Sequence, residues 1–307
     1  MVNSYTGEFA ALATALCWTF TSTAFTIASR YVGAGVVNRT RLAVAVFYLL
    51  IAHFFIEGYF FPIHIELSQL GWLGLSGIIG LALGDAFLFQ SFVLIGTQLS
   101  MLIMSLVPII SALIAWIFLK ETLKPIEIFA IILTISGIII VLLQKQNFLS
   151  GISDRKKYLI ALRQLKIGIL CAIGGAFGQA IGLVVAKKGM GNLSGLSVTL
   201  IRVLTGAIVI WIWTIFSGNV KQTFQKLNNK KANLFIAGAA FGGPFLGIWM
   251  SMVAIKWTSI GIASTLMALP PIMLLPVAYW VFKEKVNFWA VIGTLIAVAG
   301  SAIIFLT

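Results

Sequence analysis

Asp85 is the one carboxylate that lies deep inside an apolar stretch of the sequence, in the segment GLALGDAFLFQ that begins at Gly80. An ionisable side chain placed there costs roughly 2.5–3.5 kcal/mol on membrane-insertion scales unless it is paired or hydrated. We therefore expect Asp85 to face a cavity or a cation. Two roles fit: a group that couples protons or binds a substrate amine, or the acidic half of a structural ion pair with Arg41 or Arg202.

A pair of arginines occupies matching places in two apolar segments, because Arg41 and Arg202 are 161 residues apart and so are Gly7 and Gly168. A guanidinium inside the membrane can bind a substrate carboxylate or gate a vestibule. It can equally reach the interface along its aliphatic stem, or hold a neighbouring loop through backbone carbonyls. The symmetry of the pair does not choose between these roles.

Seven further side chains are candidates for the lining of a substrate cavity: Trp18, Thr19, Thr23, Gln90, Gln179, Trp249 and Ser251. Trp18 and Gln179 are again 161 residues apart, and each lies in a segment with unusual polar or glycine content for a lipid-facing helix. Glycines four residues apart, such as Gly80 and Gly84, let helices approach closely. Ordinary packing explains the glycines, but it does not explain the threonines and glutamines as well.

Enzymatic chemistry has little support in the sequence. Residues 74–77, GLSG, match the GxSG pattern of intramembrane serine hydrolases, but a nucleophile such as Ser76 needs a histidine base. In those enzymes the histidine follows the serine, and here no histidine follows His64. We therefore predict that the chain is no enzyme and holds no catalytic residue, metal or cofactor. A hydrolase that uses Ser76 and a membrane scaffold that transports nothing are kept as alternatives.

The elements that must position these side chains are membrane helices. Of the 307 residues, 60% are hydrophobic and 9% are charged, whereas a soluble domain has about 25% charged residues. Apolar runs of about 20 residues, enough to cross ~30 Å of hydrocarbon as a helix, recur along the chain. The sequence predicts an all-α polytopic membrane protein with ten transmembrane helices: 8–28, 36–56, 70–92, 98–118, 125–143, 166–186, 196–217, 232–254, 259–282 and 287–306.

The cations of this basic chain, whose net charge is +13, fall mainly in the short segments between spans. Such cations set topology and contact anionic lipid headgroups, so we expect the lipid bilayer as a partner and no nucleic acid. Fourteen Lys and Arg residues fall on the side opposite the termini and five on the same side. The positive-inside rule then predicts that both termini lie outside the cytoplasm.

One unit of the sequence is used twice. Residues 104–137 align without a gap to residues 267–300 at an offset of 163. The alignment predicts a first five-helix repeat at 1–144, a polar loop at 145–165 and a second repeat at 166–307. Because five is odd, the second repeat would enter from the opposite side, which gives two inverted repeats around a central cavity. Transporters place the substrate site at the midplane of such an arrangement.

With its duplicated unit, the chain resembles the ten-helix members of the drug/metabolite transporter superfamily, in the EamA-type branch. An arginine opens each second helix, and a proline, a glutamate and a glycine recur at one spacing in both halves: Arg41, Pro108, Glu121 and Gly137, then Arg202, Pro271, Glu284 and Gly300. The resemblance implies a secondary transporter of small metabolites such as amino acids, an exporter or exchanger often coupled to protons. It also implies cytoplasmic termini, against the charge count, and a place in the plasma membrane, the inner membrane of a bacterium.

Overall fold

The computed structural model describes residues 5–63, 65–119, 125–151, 153–258, 260–281, 283 and 287–306, and these ranges contain helices and turns but no strand. Glu121 and Glu284, the glutamates of the repeated pattern, and His64 lie outside the described residues. The helices are α1 (Thr6–Val32), α2 (Ala34–Glu57), α3 (Leu67–Ile95), α4 (Thr97–Ile103), α5 (Leu106–Leu119), α6 (Pro125–Ser150), α7 (Arg155–Met190), α8 (Gly195–Phe216), α9 (Val220–Lys226), α10 (Lys230–Trp257), α11 (Ile260–Met267), α12 (Pro270–Trp280) and α13 (Phe288–Leu306).

Eight segments of the described residues are long and apolar enough to cross a membrane: Thr6–Val32, Ala34–Glu57, Leu67–Ile95, Pro125–Asn147, Arg155–Met190, Gly195–Phe216, Lys230–Trp257 and Ile262–Trp280. The last of them takes in α11 and α12. Two shorter apolar helices, Thr97–Ser111 and Phe288–Ile303, lie where the fourth and tenth spans were predicted. The chain is therefore an all-helical, multi-pass integral membrane protein. The exact number of ten crossings stays a prediction.

Two of the predicted spans are broken rather than continuous. α4 ends at Ile103 and α5 begins at Leu106, just before Pro108, while α11 ends at Met267 and α12 begins at Pro270. A proline lacks the amide hydrogen that a helix interior needs, but it is tolerated in the first helical turn. Pro108, Pro270 and Pro271 therefore lie in the first turns of new helices.

The segment predicted as a polar loop, 145–165, is mostly helical. α6 runs to Ser150 and α7 begins at Arg155, so the connection is only a few residues long. The Asp154 carboxylate accepts hydrogen bonds from the amides of Lys156 (2.9 Å) and Lys157 (3.3 Å), and so caps α7. Lysine, arginine and leucine are good helix formers, and polarity alone does not prevent them from extending a helix beyond the apolar span.

The main helix contacts join one half of the chain to the other. α1 packs on α10, α3 on α7, α2 on α8, and α6 on α13. In the repeat alignment α1 corresponds to α7 and α3 to α10, so the first two contacts are equivalent to each other. The other two contacts join equivalent helices. This pattern of contacts is the one expected when a two-fold relation links two repeats.

α3 and α10 share an uncommon feature, a π-helical segment in the middle of the helix. The segments are Gly77–Gly84 and Phe241–Gly247, and the residues that follow them, Asp85 and Ile248, are equivalent in the repeat alignment. π-helical turns inside α-helices occur frequently at functional sites. They also change the angle between successive side chains, which shifts the face that the rest of the helix presents.

α3 and α7 cross at glycines, as the spacing of Gly80 and Gly84 predicts. A Cβ atom added to Gly178 would lie 2.6 Å from the Cα of Gly84, and one added to Gly182 would lie 3.0 Å from the Cα of Gly80. A Cβ atom at Gly178 would force the backbones apart and one at Gly182 would be tightly crowded, so the two backbones are in direct contact. This crossing fixes the positions of the residues beside the glycines, Asp85 and Gln179.

Candidate functional site

A cavity of about 120 Å³ lies between the helices of the two repeats. A buried water needs roughly 10–15 Å³ on the same measure, so the cavity has room for a small organic molecule. Six of the predicted site residues line it: Trp18, Arg41, Asp85, Gln179, Arg202 and Ser251. They come from α1, α2, α3, α7, α8 and α10, so both repeats contribute to one site.

Four of the predicted site residues are not among the residues that line the cavity: Thr19, Thr23, Gln90 and Trp249. The Thr19 hydroxyl donates to the Ala15 carbonyl (2.8 Å), and the Thr23 hydroxyl donates to the carbonyl of Thr19 (3.2 Å). Both threonines are thus satisfied by their own helix. Trp249 packs on the ring of Phe245, with 5.8 Å between ring centroids.

Gln90 and the lining residues of α3 lie on different faces of the second half of that helix. Asp85, Leu88, Phe89 and Phe92 line the cavity, and this spacing of three, four and seven residues marks one face of an α-helix. Gln90 lies on a different face and is exposed. Gln90 is therefore not among the residues that line this cavity, and its part in substrate binding stays a prediction.

The same spacing identifies lining residues that the sequence analysis missed. Trp18, Thr21, Ser22 and Phe25 form the cavity face of α1. Thr21 and Ser22, rather than Thr19 and Thr23, are its polar members. Starting from Trp18 and counting three, four and seven residues along the helix would have found them.

Asp85 is the centre of a buried polar network. Its carboxylate forms an ion pair with the Arg41 guanidinium, and its Oδ1 accepts a hydrogen bond of 2.6 Å from Nε2 of Gln179. Arg41 also donates through Nε (3.1 Å) and Nη2 (2.9 Å) to Oδ1 of Asn38, a partner that the sequence analysis missed. The guanidinium lies 4.7 Å from the ring centroid of Phe89, which adds a cation–π contact.

The network depends on the glycine crossing described above. Asp85 directly follows Gly84, and Gln179 directly follows Gly178, the two glycines whose backbones touch. A larger residue at either glycine would push α3 and α7 apart and lengthen the bond between Gln179 and Asp85. Glycine at these positions is therefore what allows the Asp85 and Gln179 side chains to meet.

Arg202 has a different environment from Arg41, although the two residues are equivalent in the repeat alignment. It is 1% exposed, and Nη1 donates to the sulfur of Met252 at 3.1 Å. Its Nε has no hydrogen-bond partner within the described residues. A thioether is a weak acceptor, so this buried guanidinium keeps most of its hydrogen-bonding capacity for another group.

Ser76 and the histidines do not form a hydrolase site in the described part of the chain. Ser76 is fully buried, and its hydroxyl donates to the carbonyl of Gly182 at 2.6 Å. His53 instead contacts Ser197, with 3.0 Å between Nε2 and Oγ, and its Nδ1 lies 2.5 Å from the carbonyl oxygen of Tyr59. A carbonyl can only accept, so Nδ1 carries the proton. The pair links the end of α2 to the start of α8.

We expect a serine-reactive fluorophosphonate probe not to label the protein at Ser76, because the hydroxyl is buried and donates to a carbonyl. Incubation in detergent followed by mass spectrometry of the intact protein checks this. Ser76→Ala serves as the matched control and should give the same mass profile. A probe adduct that disappears in Ser76→Ala would contradict the prediction and revive the hydrolase alternative.

Comparisons with known proteins agree with this architecture. The model of the EamA-like transporter family matches the chain twice, at residues 5–143 and 166–306. An "Uncharacterized transporter" of Clostridium kluyveri is 24% identical over 239 residues, which cover 77% of this chain and 72% of that protein. A solved crystal structure matches with a TM-score of 0.65 at 17% identity, over 98% of this chain and 96% of the other, which supports the fold alone.

The family match covers both halves of the chain and leaves out only the connection between them and the extreme ends. It agrees with the helix contacts that join equivalent helices of the two halves. Membership of a transporter family implies small-molecule substrates and a membrane environment. From the match over both halves, we conclude that the chain belongs to the EamA-like transporter family.

Proposed function

We propose that the chain is a secondary transporter that exports or exchanges small metabolites, amino acids among them, by alternating access. Ten spans in two inverted repeats would place the substrate site between the repeats, where each side of the membrane can reach it in turn. The plasma membrane, the inner membrane in a bacterium, is the proposed location. The observation that carries the proposal is the cavity of about 120 Å³ lined by polar and charged side chains from both halves.

The same cavity disfavours a scaffold that transports nothing. A scaffold has no need for an open centre, and filling it with side chains would stabilise the bundle. The buried charges are a second argument, because ionisable residues within membrane spans are costly and mark substrate or ion pathways. Asp85 is the one carboxylate among the lining residues that the structure describes, so it is the group through which coupling to protons would act.

Counterflow in liposomes tests the proposal. We expect purified protein in liposomes preloaded with one compound of a metabolite panel to accumulate the same compound in labelled form, with and without an imposed pH gradient. Ser264→Trp should abolish the signal because Ser264 lines the cavity. Leu170→Trp is the matched control, since Leu170 is 69% exposed on the outside of α7.

No counterflow for any compound, with protein that elutes as a single folded species, would overturn the transport proposal. Equal counterflow in Ser264→Trp and Leu170→Trp would show that the substrate does not pass through this cavity. Dependence of uptake on the pH gradient would identify proton coupling, and equal uptake without the gradient would identify exchange.

A further inference from the structure

We propose that the cavity binds a monocarboxylate with an apolar body, that Arg202 holds its carboxylate, and that a substrate amino group is not recognised. The inference rests on the transport function proposed above and gives that function a substrate class. It follows from the charge balance of the cavity, from the free donors of Arg202, and from the occupied acceptors of Asp85.

The charge balance of the cavity is positive. Arg41, Arg202 and Asp85 are its charged lining residues. Asp85 forms its ion pair with Arg41, and that guanidinium is further satisfied by Asn38. One positive charge, that of Arg202, therefore has no counterion among the described residues that line the cavity.

The surroundings of Arg202 favour the binding of an anion. The side chain is 1% exposed and lines the cavity, its Nε is unpartnered within the described residues, and its hydrogen bond to Met252 uses only Nη1. A buried guanidinium without a counterion is costly, and a bound anion removes that cost. The planar fork of arginine matches a carboxylate, which can accept two parallel hydrogen bonds.

The rest of the lining selects a singly charged anion with an apolar body. A phosphate monoester carries about −1.5 to −2 charges at neutral pH, which exceeds the single uncompensated charge of the cavity. A carboxylate carries one negative charge and matches it. The apolar lining includes Phe25, Phe92, Met101, Met104 and Met267, so it favours an apolar body.

A substrate ammonium group finds no free carboxylate in this cavity. Asp85 is the only acidic lining residue in the described part of the chain, its Oδ2 pairs with Arg41, and its Oδ1 accepts from Gln179 at 2.6 Å. Binding an ammonium there would require the ion pair to open. Removal of the amino group from a ligand should therefore cost no affinity.

A matched ligand series tests the inference. Leucine, 4-methylpentanoate and 3-methylbutylamine share one branched apolar body and carry both charged groups, only the carboxylate, or only the amine. We expect isothermal titration of the purified protein in detergent to give binding of 4-methylpentanoate at least as tight as that of leucine. The amine should show at least tenfold weaker binding than the carboxylate. Binding of the amine alone, or a clear requirement for the amino group, would overturn the proposal.

Variants then assign the carboxylate to Arg202. Arg202→Gln should weaken 4-methylpentanoate binding by about tenfold or more, because a charge-assisted bidentate contact is lost. Arg163→Gln, at an exposed position of α7, removes one positive charge elsewhere and should leave the affinity unchanged. Unchanged affinity in folded Arg202→Gln would overturn the assignment. If that variant does not fold, Arg202→Lys provides the second test, with weakened but measurable binding expected.

The two proposals fail separately. Counterflow that is limited to amines or neutral compounds would leave the transport function standing and overturn the carboxylate inference. Arg202-dependent binding of 4-methylpentanoate without counterflow of any compound would support the inference about the site and overturn transport.

Discussion

Asp85→Asn is expected to lower the free energy of unfolding by about 3–5 kcal/mol, because it leaves the Arg41 guanidinium as an uncompensated buried charge. Arg41→Met should cost a similar amount by stranding the carboxylate. Both residues are buried, at 5% and 3% exposed, so solvent cannot replace the missing partner. The loss is measured by heating the protein in detergent and recording how much of it still elutes as the folded species.

Arg202→Met is the matched control for this prediction, since Arg202 is the repeat equivalent of Arg41 but pairs with no carboxylate in the described part of the chain. The ligand-free variant should keep or gain stability, because a buried unpaired charge is replaced by an apolar side chain. Equal losses of stability in Arg41→Met and Arg202→Met would contradict the different roles assigned to the two arginines. An Asp85→Asn protein with unchanged stability that still exchanges substrate, but no longer responds to a pH gradient, would instead assign Asp85 to proton coupling.

Gly178→Ala is expected to cost about 1–3 kcal/mol and to impair substrate binding, because the new methyl group meets backbone and not a flexible side chain. The added Cβ would lie 2.6 Å from the Cα of Gly84. α7 must therefore move away from α3, which separates Gln179 from Asp85. Thermal unfolding gives the first effect, and titration of 4-methylpentanoate gives the second.

Gly238→Ala controls for the change of residue type. Gly238 lies in α10, and nothing lies within 4 Å of a Cβ added there. Alanine is the better helix former, so this variant should be neutral or slightly more stable. A Gly178→Ala protein that matches Gly238→Ala in stability and affinity would show that the crossing of α3 and α7 tolerates expansion.

The sequence alone predicted the environment, the duplication and the family. A chain with 60% hydrophobic and 9% charged residues has too little polar surface for water, and helices are the solution that satisfies the backbone within each apolar run. The offset of 163 residues identified the repeat without any contact. The glycine spacing of Gly80 and Gly84 also predicted the close crossing of α3 correctly.

The sequence did not show which face of α3 points into the cavity beyond its π-helical segment. The π-helical segment Gly77–Gly84 changes the angular step between residues in the middle of α3. Gln90 was chosen for its polar side chain, and the structure places it on a face of α3 other than the one that carries Asp85. The basic segment 145–165 shows a related limit, because polarity marks the end of an apolar span but not the end of a helix.

The sequence by itself determined that Arg41 and Arg202 are equivalent and that Asp85 has no acidic counterpart at Ile248. It left open which arginine pairs with Asp85. Only the tertiary structure decided this, because α2 and α3 bring Arg41 to the carboxylate while Arg202 on α8 faces the sulfur of Met252. Charge pairing depends on distances of a few ångströms between side chains that are far apart in sequence, and those distances exist only once the helices have packed.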